Sequence, residues 1–118
     1  MGTFTHAITM FDPSSQRSET VEATVDTGAT FTLVPTPVLE RLGVSPDRHV
    51  RFRQANGQVI DRPLGEVIAQ LDGVRGTVMC LFGLPDDPPV IGAHTLEGFL
   101  LAVDPVEERL VPREGLML

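Results

Sequence analysis

Asp26 is the residue of this chain best placed to do chemistry. It follows residues 19–25, in which polar and apolar side chains alternate at period two as in a half-buried strand, and it opens a turn of small residues, Thr27-Gly28-Ala29-Thr30. A carboxylate held at such a turn can serve as a general base towards water. An aspartate at this position can equally be a turn former only, because Asp often starts a turn by bonding its own backbone.

Other chemistries find little support in the residue types. All nine basic residues are arginine, which leaves no lysine for a Schiff base or a Ser-Lys dyad. Four residues suited to metals share no ligand spacing and fall in different elements: His6, His49, Cys80 and His94. The acid pairs Asp86-Asp87 and Glu107-Glu108 lie among prolines or polar turn residues and indicate solvated loops. We therefore expect neither a metal nor another cofactor.

Length and charge limit the possible architectures and partners. The chain has 118 residues, enough for one core, and we expect a single domain over residues 1–118. Its net charge of -7 would repel nucleic acid and anionic membranes, so neither is an expected partner. A single cysteine allows no internal disulfide, and its apolar neighbours indicate a buried strand position. The sequence suggests no leader and no membrane-spanning run, so a cytoplasmic location is expected.

The elements before the midpoint of the chain are mostly strands. Residues 3–11 and 19–25 flank a turn and predict a hairpin that delivers Asp26 at its end. A short strand over 31–34 follows, and then a brief helix with Thr36 as its cap, Pro37 at its first position and Gly43 just past its end.

The later elements predict further hairpins. Asn56-Gly57, between residues 51–55 and 58–64, is the strongest short-range hairpin signal in the sequence. Strands over 66–71 and 77–82 come next, followed by a proline-rich loop over 84–89. The remaining expectations, in chain order, are the segment Val90-Ile91-Gly92, a helix over 95–99, a strand over 100–103 and a last pair of strands near Leu110 and Leu116. The pattern predicts an all-β domain with one or two short helices.

Three segments in this order resemble one family. Val25-Asp26-Thr27-Gly28-Ala29-Thr30 resembles the active-site loop of retropepsin-like aspartic proteases, and Val90-Ile91-Gly92 resembles their second signature, which crosses beside that loop. Residues 96–104 resemble the helix and strand that follow in bacterial members. The Asn56-Gly57 hairpin lies where retropepsins keep the flap that closes over substrate.

The resemblance implies an aspartic endopeptidase that works as a homodimer on a peptide or protein substrate. The expected fold is a closed, retropepsin-like β-barrel subunit, with the terminal segments 3–11 and 115–118 at the dimer interface. The expected catalytic residues are Asp26, Thr27 and Gly28, with Asp26 facing its own copy in the second subunit. The expected substrate-binding residues are the rest of the loop and the flap: Ala29, Thr30, Ala55, Asn56, Gly57 and Gln58.

Two positions depart from the viral members of the family. Viral retropepsins place an Asp and an Arg, which form an ion pair near the dimer axis, at the positions held here by Thr30 and Ala93. Because both partners are missing together, the departure indicates a different dimer contact more than a broken site. The alternative function is a retropepsin-like module that dimerises or binds peptides without turnover, since a fold does not by itself imply an activity.

Overall fold

A computed structural model describes residues 3–118 of the chain. Most of this part of the molecule is β structure, with two short helices between the strands. The elements are β1 Thr5–Phe11, β2 Ser18–Val25, β3 Thr32–Pro35, α1 Thr36–Arg41, β4 Arg48–Arg53, β5 Val59–Leu71, β6 Val74–Gly83, β7 Val90–Ile91, α2 Ala93–Gly98, β8 Leu101–Asp104 and β9 Arg109–Pro112.

Seven of the strands form one sheet in the order β1-β2-β7-β3-β6-β5-β4, and β8 and β9 form a separate two-stranded sheet. Two neighbouring pairs are parallel, β2 with β7 and β3 with β6, and each joins strands far apart in the sequence. β1 additionally pairs with β5 over its last three residues. β7 thus lies between β2 and β3, the two strands on either side of the Asp26 turn.

The predicted hairpin at the start of the chain is confirmed. β1 and β2 pair antiparallel from Thr5↔Thr24 to Phe11↔Ser18, and Ile8, Met10, Ala23 and Val25 are buried in the core. The connecting turn is held by Asp12, whose side chain accepts hydrogen bonds from the Ser14 hydroxyl and the Arg17 backbone N–H. Chiefly through the Ser14 hydroxyl, these donors lower the pKa of Asp12 to about 2. The turn is therefore anchored by a carboxylate that favours its charged form.

The core lies on the inner face of the large sheet and under the two helices. The largest fully buried side chains include Ile8, Met10, Leu39, Leu42, Leu64, Leu71 and Ile91. Cys80 is buried on β6 as predicted, and burial raises the pKa of its thiol to about 12. None of the helices formed within residues 3–118 is long and apolar enough to cross a membrane.

Three local predictions were wrong, the first two because tertiary contacts outweighed local signals. Thr36 does not cap α1: Pro35 occupies the cap position, and the Thr36 hydroxyl donates to the carbonyl of Gly83 instead. The break expected after Leu64 is absent, since β5 runs on and pairs first with β4 and then with β6. Leu116 lies in an exposed segment after β9 and not in a strand.

Candidate active site

Asp26 lies directly after β2, in an exposed turn. Its backbone N–H donates to the carbonyl of Ile91 at 3.0 Å, which fixes the end of the strand. One carboxylate oxygen, Oδ1, accepts a hydrogen bond from the Gly28 N–H at 2.9 Å, and the Ala29 N–H donates to the Asp26 carbonyl at 3.1 Å. The acid therefore does form the turn that its sequence position suggested. It remains exposed to solvent, as do Thr27 and Gly28.

Gly28 leaves space beside this carboxylate. A Cβ atom at position 28 would lie 3.2 Å from Asp26 Oδ1, tighter than an ordinary contact. A side chain here would push against the same oxygen that the Gly28 N–H binds. The glycine thus lets the backbone of the turn approach the acid.

The second segment crosses immediately beside this loop, as predicted. β7 lies parallel to β2 with Val25 opposite Ile91, and the first N–H groups of α2 donate to the loop. The Ala93 N–H reaches the Ala29 carbonyl at 2.7 Å, and the His94 N–H reaches the Thr30 carbonyl at 3.0 Å. These bonds explain why α2 begins two residues earlier than expected. We call the contact of residues 26–32 with residues 91–95 the crossing.

Gly92 sits at the closest point of the crossing. A Cβ atom at this position would lie 2.5 Å from the backbone of Phe31 and 2.9 Å from the Ala29 carbonyl oxygen. Real Cβ atoms do not approach backbone this closely, so only glycine fits. The glycine of the second signature is therefore required by the space available.

Two buried threonines complete the crossing, and the sequence patterns did not single them out. The hydroxyls of Thr32 and Thr95 lie 2.6 Å apart, and Thr32 Oγ1 accepts a hydrogen bond from the Gly92 N–H at 3.2 Å. The signal available in the sequence was a hydroxyl within an otherwise apolar strand, Phe31-Thr32-Leu33-Val34. Such a residue is common in strands, which is why the pattern gave no reason to select it.

The predicted hairpin is present between β4 and β5, and its turn contains the four residues expected to act in a flap; we call it the flap hairpin, or flap. Gln54 N–H donates to the Gln58 carbonyl and Gly57 N–H to the Gln54 carbonyl, while Gly57 takes a φ of +87°. This is a three-residue hairpin loop ending in a left-handed glycine. Ala55, Asn56, Gly57 and Gln58 are all exposed.

A groove of about 720 Å³ lies between the flap strands and the loop after β6. Its floor and walls are mainly apolar, with a few polar groups at the edges: Leu33, Phe52, Gln54, Ile60, Asp61, Arg62, Leu81, Leu84, Asp87, Pro88 and Val90. The rings of Phe52 and Phe31 pack edge to face with their centroids 6.1 Å apart. The flap strand β4 therefore contacts the segment that follows the Asp26 turn. An apolar groove with a few polar groups suits a peptide side chain.

Asp26 lines one smaller hollow, and the loop residues that follow it line another. One, of about 200 Å³, includes Phe4, Asp26 and Val103; the other, of about 210 Å³, includes Thr30, Ala93 and His94. Ala29 and Thr30 line the second hollow, and Ala29 is joined to Asp26 through its backbone N–H. The flap residues 55–58 line none of these three cavities within the described part of the chain. Among residues 3–118, no group of three His, Cys, Asp or Glu side chains is arranged to hold a metal ion.

Comparison with known proteins gives one family match and several structural ones. Residues 16–96 match the family model described as "gag-polyprotein putative aspartyl protease". A search of curated protein sequences found no match.

The solved structures similar to this chain share little sequence with it. The protease of Simian Foamy Virus (mac) is 17% identical with a TM-score of 0.56, over 78% of this chain and 90% of that one. The retroviral protease-like domain of Ddi1 from Leishmania major is 16% identical with a TM-score of 0.58, over 95% and 90%. A retropepsin-like aspartic protease from Rickettsia conorii is 15% identical with a TM-score of 0.52, over 88% and 89%. These likenesses establish a retropepsin-like fold.

Proposed function

This chain belongs to the gag-polyprotein aspartyl protease family, and from that premise we propose that it is an aspartic endopeptidase acting on peptide or protein substrates. The observation that carries the proposal is the position of Asp26. The acid is exposed, it ends a core strand, and its loop is fixed against β7 and α2 by backbone hydrogen bonds. An exposed acid on so rigid a support suits chemistry better than a solvated surface turn does.

The proposed mechanism needs two carboxylates. One, ionised, takes a proton from a water molecule as that water attacks the peptide carbonyl, and the other, protonated, polarises the carbonyl oxygen. Two carboxylates at hydrogen-bonding distance share a proton because they do not both ionise readily. One subunit offers one such loop, so we propose that a two-fold axis pairs Asp26 with the same residue of a second copy. In this dimer, Thr27 contacts the partner loop and Gly28 keeps space beside the acid.

Substrate would lie along the groove under the flap. We propose that apolar substrate side chains enter the groove beside Leu33 and Phe52, while Ala29 and Thr30 contact the substrate backbone next to Asp26. The turn made of Ala55, Asn56, Gly57 and Gln58 would close over the bound peptide. Its exposure in the free subunit is consistent with a cover that moves on binding.

The dimer would use surfaces that the subunit leaves uncovered. Leu116, Met117 and Leu118 form an exposed apolar segment, more than nine-tenths exposed at each residue. An apolar segment of this kind favours burial against a partner. We propose that the interface includes this segment and the expected segment 3–11, in which residues 9–11 already pair with both β2 and β5 while residues 5–8 pair with β2 alone. That pairing with β5 also supports a closed barrel as the subunit architecture, within a single domain.

Asp26→Asn tests the proposal. An amide cannot act as the general base, so we expect cleavage of a mixed peptide pool to fall by about 100- to 10,000-fold or more, with the dimer intact by light scattering. Asp47→Asn, at another exposed aspartate, is the control and should keep full activity. Mixing equal amounts of wild type and Asp26→Asn should roughly halve the activity per wild-type subunit, because random pairing leaves about one dimer in four with two acids.

Two results would contradict the proposal. Substantial turnover by Asp26→Asn would remove the acid from the mechanism. A wild-type dimer that binds peptides from the pool and cleaves none would favour the inactive module instead.

A further inference from the structure

The hydroxyl pair of Thr32 and Thr95 is unusual for its setting. Thr32 is 1% exposed and Thr95 is 3% exposed, and with Asp12 they are the buried polar residues of the part of the chain that the structure describes. Valine has nearly the same shape as threonine and would fill the same space without a polar group. A reason for the two hydroxyls must therefore lie in what they bind.

The group that this hydroxyl pair binds is the backbone N–H of Gly92. The neighbouring N–H groups of Asp26, Ala93 and His94 are all used in hydrogen bonds between the loop and β7–α2. The Gly92 N–H is directed instead at Thr32 Oγ1, 3.2 Å away, and Thr95 Oγ1 lies 2.6 Å from that same atom. Without the hydroxyl, this buried N–H would have no partner among residues 3–118. Thr95 in turn limits the rotation of the Thr32 hydroxyl.

Because Gly92 touches the backbone of Phe31 and Ala29 with no space for a side chain, a small shift of Gly92 would move the loop that carries Asp26. From this geometry we propose that Thr32 and Thr95 are positioning residues: they fix β7–α2 against the loop and so set the approach of Asp26 to its counterpart. This inference rests on the proposed protease function. Paired carboxylates need such control, since a misplacement of about 1 Å can reduce the rate by about 100-fold.

The test uses isosteric and conservative variants at both positions. Thr95→Val and Thr32→Val remove one hydroxyl each at nearly constant volume. We expect kcat to fall by about 10- to 100-fold, with KM changed by less than about twofold, because substrate still binds in the groove while the acids are misplaced. Thr95→Ser keeps the hydroxyl and should restore most of kcat.

A second threonine pair in the same domain supplies a matched control. Thr9 and Thr20 place their hydroxyls 2.7 Å apart on β1 and β2, in an exposed position. Thr20→Val should leave kcat and KM unchanged. The double variant Thr32→Val with Thr95→Val also leaves the Gly92 N–H unpaired, so it should lose little more stability than Thr32→Val alone, and its kcat should stay equally low.

The outcomes separate the two proposals. If kcat in these variants follows thermal stability alone, or if Thr95→Ser fails as badly as Thr95→Val, the positioning role is wrong while the protease proposal stands. If the wild type itself cleaves no peptide, the protease proposal fails and the positioning role is overturned with it.

Discussion

The crossing and the flap turn are both proposed to act in the same reaction, but they differ in how firmly the rest of the molecule holds them. At the crossing, backbone hydrogen bonds, a buried hydroxyl pair and a glycine in contact with Phe31 leave the loop little freedom. The flap turn, residues 54–58, is exposed and is held by hydrogen bonds among its own residues and from Arg53. Regions with few buried contacts open most easily. The loop that carries the acid is therefore held by more long-range contacts than the turn that we propose as its cover.

The largest effect on stability and activity is expected for Gly92→Ala, at the crossing. The added Cβ would lie 2.5 Å from the Phe31 backbone, and we expect the free energy of unfolding to fall by about 1–3 kcal/mol or more and cleavage to be lost. Urea unfolding measures the first effect. Gly98→Ala is the control, since a Cβ at position 98 meets nothing within 4 Å, and it should be neutral or mildly stabilising. Equal stability of the two variants would show that the crossing is not tightly packed.

A smaller effect is expected at the flap, where Gly57→Val changes conformation and not packing. Gly57 has a φ of +87° and open space around it, so the cost is backbone strain of about 1–2 kcal/mol, localised in the turn. Turnover should fall while the dimer and the crossing remain intact. Gly57→Asn is the matched variant and should lose less, because asparagine tolerates positive φ. Unchanged steady-state kinetics in Gly57→Val would mean that this turn does not close over substrate.

The smallest effect concerns the β1–β2 turn, which is anchored like the crossing but carries no proposed chemistry. Asp12 is 6% exposed, and its folded-state pKa of about 2 lies below the ordinary value of 3.8. Its contribution to stability is therefore complete above about pH 4 and is lost as the pH falls through about 2. The unfolding free energies of wild type and Asp12→Asn should differ most near neutral pH and converge towards pH 2. A difference between wild type and Asp12→Asn that stays constant with pH would contradict the assignment.

The sequence predicted those parts of the fold and site that depend on short-range chemistry. Strand-like composition located β1, period-two alternation located β2, and Asn56-Gly57 located the turn between β4 and β5. The two halves of the crossing were predicted from a family resemblance of residues 25–30 and 90–92. It could not predict how Thr32 and Thr95 pair, because their hydroxyls meet only after β3 and α2 come together across 63 positions of sequence. The role of Thr36 was missed for the same reason, since its partner Gly83 is 47 positions away.

The crossing also has a consequence for how the chain folds. Asp26 and its partner Ile91 are 65 positions apart, and bringing such distant residues together carries an entropic cost that local hairpins do not have. We therefore expect the β1–β2 and β5–β6 hairpins to form early and the docking of β7 and α2 to come late. Until β7 and α2 dock, Asp26 lies on a partly folded chain that lacks the hydrogen bonds fixing its loop.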